Sequence, residues 1–443
     1  MHSSSVGAPQ PAATGLDVGP FRALTYARHD PGHLARVSSP AYDLVTPDGR
    51  ERLAAADPHN IVRLILPGGT SGPGSAGAPA DSGTAGREAD GQAARAARTL
   101  RQWEDTGVLV RDDEPALWLY AMQPAQGPAT VGWLGAVAVA GGGRAVLPHE
   151  DTFPAAVEGR RALLAATATD LEPIVLAHDP EPEVADVTRA ALGGAPAMEV
   201  TDTDGVRHRL WRVTDADVLR RLIGALGRTG SVIADGHHRF AAAQALHRTH
   251  PDGDCRVLAL LTPMGLGGLR VEAIHRVVPD LPLDDAAAAA GRGFTVTEVP
   301  LAQGPDHLAA AVGRVQALPE TGGFLLTDGR RLLHLTDPSP EVRDTVPAEA
   351  PAAWRRLDVV LATTGLVTAL WGRSDDPASL LVAHDVSEAL RLAVERAGVA
   401  LLLRPPSPAD VADVARAGAR MPRKSTLFVP KPRTGLVFRP HEG

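Results

Sequence analysis

Strand-like and helix-like stretches alternate along the chain. Short runs of β-branched and aliphatic residues predict strands over 61–66, 116–122, 133–140, 173–177, 208–213, 231–234, 257–262, 273–278, 323–327, 332–335, 380–384 and 400–403. A helical period of apolar residues predicts helices over 48–56, 94–105, 160–168, 216–226, 240–250, 357–370, 386–397 and 408–417. This alternation predicts an α+β fold of mixed α/β character.

The same pattern suggests how the chain is divided. Residues 1–19 lack periodicity and are expected to form a disordered leader. An N-terminal α/β part is predicted over 20–140, interrupted by a flexible loop at 68–91 that is rich in Gly, Ala, Ser and Pro. A central catalytic and phosphate-binding part over 141–280 and a C-terminal α/β part over 281–443, with a basic tail segment, complete the expected organisation.

Composition narrows the class of protein. The chain has 443 residues and a formal net charge of −8, which is enough chain for about two or three domains. Its apolar stretches are shorter than the ~20 residues needed to cross a bilayer, and its N-terminus lacks a signal-peptide pattern. The single cysteine, Cys255, rules out an intrachain disulfide. We expect a cytoplasmic protein that binds small molecules and not membranes, and for which nucleic acid is an unlikely partner.

Lysine is almost absent from the basic residues of this chain. The 44 Lys and Arg residues include only two lysines, Lys424 and Lys431. A GC-rich genome explains the excess of arginine, but it does not explain why both lysines lie in one C-terminal segment. Lys424 with Ser425 and Thr426 could donate to a phosphate, and a solvated basic tail is the alternative.

The strongest chemical signal is the run Asp235-Gly236-His237-His238-Arg239, placed between a predicted strand and a predicted helix. The glycine permits a tight turn, the helix start offers unpaired N–H groups, and Arg239 offers a fork of donors. Asp235 could hold a metal ion or accept a proton. In the alternative interpretation, Asp235 only caps the helix and the histidines face solvent.

A second group of polar residues follows a glycine-rich turn. His149 is followed by Glu150 and Asp151, so Glu150 could act as a general base or metal ligand. No second histidine follows His149 at the spacing of a zinc protease. Arg160, at the next predicted helix, could bind a phosphate or pair with these carboxylates. A charged surface turn and an exposed arginine remain alternatives.

Weaker candidates are polar residues at turns and strand ends, namely Tyr42, Asp43, Asn60, Arg63 and His149 for a substrate, and His275 and Arg276 for a phosphate. Each could equally be an ordinary turn or strand residue. The chain has no GxGxxG at a helix start, no P-loop and no GxSxG nucleophile elbow.

In combination, these motifs resemble the domain-of-unknown-function 1015 (DUF1015) family over 20–437. The blocks that carry the resemblance are Pro20-Phe21-Arg22, Pro40 to Asp43, Asn60 to Leu64, Trp103 to Leu109, Pro148 to Thr152, Ala234 to Phe240, His275-Arg276, Leu357-Asp358 and Met421 to Lys431. The sequence departs from the family pattern at Val157, Gly159 and Ile274, where a lysine, an aspartate and a threonine are common.

The DGHHR run also resembles the phosphate motif of ParB/sulfiredoxin-like proteins, including free-serine kinases. This similarity implies a composite fold with a ParB/sulfiredoxin-like nucleotide-binding unit. It further implies a kinase that transfers phosphate from ATP or ADP to a hydroxylated amino acid such as L-serine, with Mg²⁺. Arg239, His237 and His238 would hold phosphates, Asp235 the Mg²⁺, and Glu150 would deprotonate the acceptor or share the metal.

Two other classes remain open. A nucleotide-binding regulatory module of ParB type would bind the same ligand with little or no turnover. A nuclease or DNA-binding protein is the least favoured class, because the acidic balance comes without a basic helix.

Overall fold

A computed structural model of the chain describes residues 15–68, 82–139, 145–253, 255–265, 267–301, 307–316, 323–376 and 379–441. Its internal contacts divide the chain into two units. The first unit combines Met1–Leu269 with Pro430–Gly443, and the second is Arg270–Val429. The second unit is therefore inserted within the sequence of the first.

A mixed sheet forms the centre of the first unit. Eight of its strands follow one another in the order Val146–Leu147, Ser231–Asp235, Ile174–His178, Arg256–Pro263, Thr130–Ala138, Leu117–Gln123, Arg207–Val213 and Met198–Thr201. A further strand, Val18–Gly19, pairs antiparallel with Thr130–Ala138. Two short ribbons lie outside this sheet, Leu24–Tyr26 with Leu109–Arg111 and Thr169–Asp170 with Arg439–Pro440.

Helices connect and cover these strands. In chain order, the described helices of the first unit are Pro31–Val37, Pro47–Ala56, Val62–Ile65, Ser82–Asp105, Pro154–Thr167, Pro182–Leu192, Ala216–Leu226 and His237–Thr249, with a 3₁₀ turn at Tyr42–Leu44. Pro154–Thr167 packs against both Ser82–Asp105 and His237–Thr249. This three-helix contact positions one wall of the candidate site.

The core of the first unit is built from the apolar faces of the sheet and its helices. Leu119, Ile174 and Leu222 are fully buried there, and Trp133 is nearly so. Burial of each such side chain contributes roughly 1.5–3 kcal/mol. The indole N–H of Trp133 donates to Thr188 Oγ1 at 2.8 Å, so this large side chain is buried without losing its polar partner.

The second unit has its own antiparallel sheet. The strand order is Thr295–Glu298, Leu332–Thr336, Phe324–Thr327, Val399–Leu402, His275–Val278 and Leu381–Ala383, and a separate ribbon pairs Arg270–Glu272 with Leu427–Val429. Its described helices are Leu283–Ala290, His307–Gln316, Pro340–Arg343, Ala352–Arg355, Asp358–Leu361, Val386–Glu395 and Pro408–Arg416, with a π-helical stretch at Ala362–Leu370.

The predicted mixed fold class is confirmed, because both units combine helices with sheets that contain few or no parallel pairs. The helix predicted over 216–226 is found with the same bounds, Ala216–Leu226. Asp215 begins it by accepting hydrogen bonds from the N–H groups of Asp217 and Val218, as expected of a strong N-cap. None of the helices in the described ranges is long and apolar enough to cross a membrane.

The strand predicted over 61–66 is wrong, because the chain forms the short helix Val62–Ile65 there. Both a buried strand and a buried helix give a continuous apolar run, so the pattern could not separate them. The carboxamide oxygen of Asn60 accepts from the N–H of Val62 at 2.9 Å. This local hydrogen bond stabilises the first turn of the helix and so favours a helix over a strand in this segment.

The loop predicted over 68–91 is wrong at its C-terminal end, because the helix Ser82–Asp105 begins there. Ala, Arg, Glu and Gln favour helix in this stretch and outweigh the glycines that suggested a loop. Residues 69–81 lie outside the described residues. The predicted leader is also too long: Val18 pairs with Val137 in the sheet, and Leu16 is buried. Residues 1–14 lie outside the described residues.

The predicted part boundaries differ from the two units. The boundary between 140 and 141 divides the first unit, since strands on both sides of it hydrogen-bond in one sheet. The boundary between 280 and 281 falls inside the second unit. Sequence patterns report local structure, and these divisions depend on pairing between distant segments.

Candidate functional site

The Asp235-Gly236 turn joins a strand of the first unit's sheet, second in the strand order, to a helix. The strand Ser231–Asp235 ends at the carboxylate, and the helix His237–Thr249 begins after Gly236. Gly236 has φ of +95°, and a Cβ there would lie 2.7 Å from Ile174 Cγ2. Glycine is therefore required both by the left-handed backbone and by the close approach of Ile174.

Arg239 folds back from the first turn of this helix onto Asp235. Its Nη2 donates to Asp235 Oδ2 at 2.5 Å, and its Nη1 donates to the carbonyl of Pro173 at 2.6 Å. The buried Nε has no hydrogen-bond partner among the described residues. Asp235 thus pairs with Arg239 and does not cap the helix, whose N-cap is Gly236.

Lys431 reaches the same carboxylate from the C-terminal segment. Its Nζ lies 2.9 Å from Asp235 Oδ1 and also binds Asp43 Oδ2. Only 11% of the Lys431 side chain is exposed, against 34% for Asp43. Two carboxylates therefore share one buried ammonium, and Asp235 is held by a cation on each oxygen.

Asp43, Asp235, Arg239 and Lys431 form a charged cluster. Its charges shift the pKa values of Asp235 and Lys431. Burial would raise the pKa of Asp235, but the charges of Arg239 and Lys431 outweigh burial and hold it below its ordinary value. Burial would lower the pKa of Lys431, yet Asp235 and Asp43 raise it to about 12. Asp235, Arg239 and Lys431 are therefore charged at neutral pH.

Tyr42 and Arg160 form the neighbouring wall. The guanidinium of Arg160 lies 3.6 Å from the ring centroid of Tyr42, and that of Arg239 lies 5.6 Å from it. The Tyr42 N–H donates to Glu172 Oε1 at 3.1 Å, and the Thr434 hydroxyl donates to the same oxygen at 2.9 Å. The ring is thus a platform that orients two arginines.

A cleft opens beside these arginines, with about 430 Å³ of space that includes open solvent. Arg160, Glu172 and Arg239 line it together with Asp170. The rest of the lining is mostly apolar, from Ile65, Leu163, Leu164, Leu171, Ala242 and Val257. Among the described residues, Arg160 makes one long hydrogen bond, from Nη1 to the Ile65 carbonyl at 3.4 Å. An apolar cleft with a few convergent charged donors is typical of a small-molecule site.

His237 and His238 bind the loop that precedes the helix Pro154–Thr167. The N–H of His149 donates to His237 Nε2 at 3.2 Å, and the N–H of Phe153 donates to His238 Nε2 at 3.1 Å. An imidazole nitrogen that accepts carries no proton, so each ring has its proton on Nδ1 in these contacts. The two histidines anchor the loop on the helix N-terminus.

Glu150 lies in this loop beside both rings. Its Oε1 is 4.0 Å from His149 Nε2, and its Oε2 is 3.9 Å from His237 Nδ1. The side chain is 35% exposed. A carboxylate that is partly open to solvent and close to an imidazole can accept a proton from a bound hydroxyl.

Asp235, one of the two residues predicted to hold Mg²⁺, does not fit a resident metal ion. Both oxygens of Asp235 are already held by Lys431 and Arg239, and a hard cation there would meet two positive charges. Among the described ranges, no group of three or more His, Cys, Asp or Glu side chains could hold a metal ion.

Two of the predicted substrate residues donate hydrogen bonds to backbone carbonyls. Asn60 is fully buried, and its amide donates to the carbonyls of Arg36 and Ser38 at 2.6 and 3.2 Å. Arg63 donates to the carbonyl of Ala54 at 2.6 Å. Both hold the short helix near its neighbours, and the structure does not bring them into the charged cluster.

Five predicted phosphate ligands belong to the second unit. Burial lowers the pKa of His275 to about 4, so it is neutral at pH 7, and its Nδ1 accepts from the N–H of Leu403. Arg276 donates to the carbonyls of Arg423 and Lys424 at 2.8 and 2.9 Å and so orders that turn. Lys424 is exposed at φ +50°.

Ser425 completes this turn by donating to the carbonyl of Pro422 at 2.8 Å. Thr426 precedes the strand Leu427–Val429. The contacts of this group are those of a well-ordered turn, and its phosphate role remains a prediction.

Sequence reasoning missed Lys431 and Glu172 as site residues. Lys431 had a signal, since it is one of only two lysines in the chain. Glu172 follows a predicted helix without any motif, and only the fold places it against Tyr42. Their positions depend on pairing across 130 residues or more.

The fold and the site define a mixed α/β protein with a charged, partly apolar cleft. The family model described as "Protein of unknown function (DUF1015)" matches residues 18–360, and the chain therefore belongs to this family. No curated protein matches the sequence significantly.

Several solved structures are distantly similar. SbnI with C-terminal truncation from Staphylococcus aureus has 14% identity and a TM-score of 0.35, covering 68% of this chain and 85% of that chain. A free serine kinase in complex with AMP has 12% identity and a TM-score of 0.33, covering 71% and 94%. A conserved hypothetical protein from Pyrococcus furiosus has 13% identity and a TM-score of 0.31, covering 66% and 90%.

Proposed function

We propose that the cleft of the first unit binds a nucleotide and that the protein transfers its terminal phosphoryl group to a small hydroxylated molecule. The observation that carries this proposal is the pair Arg160 and Arg239. Both line a cleft whose other lining residues are mostly apolar apart from Asp170 and Glu172, and both keep donor atoms that have no hydrogen-bond partner among the described residues. Arginine forks suit phosphate oxygens, and an apolar wall suits a nucleobase.

The proposed reaction needs a base at the acceptor hydroxyl. The acceptor oxygen attacks the terminal phosphorus, the bond from that phosphorus to the bridging oxygen breaks, and the shortened nucleotide leaves. Glu150 takes the hydroxyl proton, and Arg239 and Arg160 stabilise the charge on the transferred group. A hydroxylated amino acid such as L-serine is the proposed acceptor, and ATP or ADP is the proposed donor.

The second candidate is a nucleotide-binding regulatory module with little or no turnover. The ion pairs of Asp235 favour it, because both carboxylate oxygens are already bound by cations. Such a site can bind an anion through its arginines without offering Asp235 as a base or metal ligand. The two candidates share the ligand and differ in product formation.

A product screen separates them. Purified protein is incubated with ATP or ADP and a panel of free amino acids, and phosphorylated products are measured by mass spectrometry. We expect one hydroxylated amino acid to be phosphorylated, with turnover falling about 100-fold or more in Glu150→Gln while nucleotide binding is kept. The matched control is Asp151→Asn, the adjacent exposed carboxylate.

Nucleotide binding without any product across the panel would support the regulatory module and reject the kinase. Full turnover in Glu150→Gln would remove Glu150 from the chemistry. Absence of nucleotide binding would reject both candidates.

A further inference from the structure

The contact between Lys431 and Asp43 suggests a step that precedes ligand binding. Lys431 is buried between Asp43 and Asp235. Asp235 also makes a close ion pair with Arg239, whereas Asp43 makes its close ion pair with Lys431 and interacts with Arg239 only through longer-range charge attraction. Lys431 therefore compensates two carboxylates, of which Asp43 is the less firmly held.

The two carboxylates differ in their surroundings. Asp235 ends a strand that pairs with a neighbour on each side, and 18% of its side chain is exposed. Asp43 lies in the 3₁₀ turn Tyr42–Leu44 and is 34% exposed, next to Leu44, which is 56% exposed. A carboxylate on an exposed turn can leave its partner at a lower cost than one fixed in a sheet.

Lys431 itself is firmly placed by the C-terminal segment. Two residues later, Arg433 Nε donates to Ser38 Oγ at 2.7 Å, and its N–H donates to Tyr120 Oη at 3.0 Å. Thr434 exchanges backbone hydrogen bonds with Ser39 at 2.9 and 3.0 Å. The Lys431 ammonium therefore lies on a well-anchored extended segment, whereas the Asp43 carboxylate lies on a turn.

We propose that Asp43 is an internal anion that occupies Lys431 in the free protein, and that a phosphate group of the ligand displaces it. This inference rests on the proposed function, and it assigns Lys431 as a further phosphate-binding residue and Asp43 as its internal competitor. Phosphate binding then exchanges one ion pair for another: Lys431 keeps Asp235 and gains a phosphate oxygen. The Asp43 carboxylate moves into solvent.

The exchange predicts opposite effects for the two partners. Removing the ammonium should weaken phosphate binding, whereas removing the competing carboxylate should strengthen it. The two effects should also be coupled, because the ion pair through which Asp43 competes is made with Lys431. A merely structural ion pair would weaken binding in both variants, through loss of order.

The test is titration calorimetry with inorganic pyrophosphate in EDTA, using the full-length protein. We expect Lys431→Met to bind about tenfold or more weakly than wild type, and Asp43→Asn about three- to tenfold more tightly. In the double variant, Asp43→Asn should give no gain. Arg248→Met, at an exposed arginine of the first unit, is the control for loss of one positive charge and should bind as wild type.

Weaker binding in Asp43→Asn would overturn the inference, because it would make Asp43 a ligand-binding residue. Unchanged binding in Lys431→Met, with wild-type binding present, would also overturn it while leaving the proposed nucleotide site intact. Absence of binding by the wild type, to both pyrophosphate and ADP, would instead reject the proposed function.

A second readout does not depend on affinity. The chain has only two lysines, so acylation by a lysine-selective reagent can be followed at each one by mass spectrometry. We expect Lys424 to react quickly in all samples and Lys431 to react slowly. Asp43→Asn should increase the acylation rate of Lys431, and pyrophosphate should reverse that increase. An equal rate at Lys431 in wild type and Asp43→Asn would contradict the exchange.

Discussion

At the residue scale, the turn at Gly236 shows how a single backbone angle supports the site. Its φ of +95° and the 2.7 Å approach to Ile174 leave no room for a side chain. The turn directs the Asp235 carboxylate toward Arg239 and Lys431. The sequence motif indicated a tight turn, but the reason for glycine lies in Ile174, more than 60 residues away.

Gly236→Ala should therefore lower the free energy of unfolding of the first unit by about 1–3 kcal/mol. The cause is a strained left-handed alanine together with its contact to Ile174. Urea unfolding followed by circular dichroism measures the change. Gly224→Ala is the control, because a Cβ there meets nothing within 4 Å and helical alanine is favoured; it should be neutral or stabilising. Equal stability of the two variants would show that Gly236 is not required by the fold.

A second prediction at this scale concerns pH. Burial lowers the pKa of His275 from 6.5 to about 4. Between these values the unfolded chain binds a proton that the folded second unit does not bind. The free energy of unfolding should therefore fall as the pH decreases from about 6.5 toward 4, and His275 should account for a loss on the order of 3 kcal/mol. Above pH 6.5, His275 should have no effect on the free energy of unfolding.

His275→Asn keeps an acceptor for the Leu403 N–H but does not titrate in this range. Urea unfolding at pH 7 and pH 4.5 should show a smaller acid loss in this variant than in wild type. His250→Asn, at an exposed position, should keep the full wild-type loss. A wild-type acid loss in His275→Asn would mean that other groups set the pH dependence.

At the element scale, regular elements could be predicted where the periodicity was strong and one-sided. Ala216–Leu226 begins at an Asp cap and presents one apolar face, and both signals are local. The helix Val62–Ile65 was missed because four residues, three of them buried aliphatic side chains, are too few to show a helical period. His149 and Glu150 were predicted as site residues, yet the docking of their loop onto two ring nitrogens could not be predicted from the sequence.

The hydrogen bond between this loop and His238 leads to a testable prediction. His238→Ala removes the acceptor of the Phe153 N–H, so the Phe153 amide should exchange with solvent about tenfold faster or more. Hydrogen exchange with mass spectrometry of the segment 149–157 measures the effect. His250→Ala, at the far end of the same helix, is the control and should leave that segment unchanged. Unchanged protection in His238→Ala would show that this hydrogen bond does not hold the loop.

At the scale of the whole molecule, the second unit enters and leaves the chain through a paired ribbon. Arg270 and Val429 are direct partners in antiparallel strands, so their backbones lie about 5 Å apart. The candidate cluster, in contrast, is assembled within the first unit, with Lys431 and Arg433 contributed after the insertion ends. No local pattern could reveal this division, since it depends on pairing across about 160 residues.

Replacement of Arg270–Val429 by a short Gly-Ser linker should therefore leave a folded first unit. Termini this close allow insertion and removal of a unit with little effect on its host. Circular dichroism with thermal unfolding should show one cooperative transition, and nucleotide affinity should stay within about threefold of the full chain. An unfolded product, or a folded product without nucleotide affinity, would show that the second unit is needed by the first.

The most direct measurement of the central claim is nucleotide affinity in matched arginine variants. Calorimetric titration with ADP and ATP is compared between Arg160→Ala and Arg161→Ala, and between Arg239→Ala and Arg248→Ala. In each pair, both variants remove one positive charge from the same helix. The first variant removes an arginine that lines the cleft. The second removes either an arginine in an exposed ion pair, Arg161, or an exposed arginine, Arg248. We predict that affinity falls at least about tenfold in both cleft variants and is kept in both controls. If the variants fold and each cleft variant binds nucleotide as tightly as its control, this result would contradict a nucleotide site in this cleft.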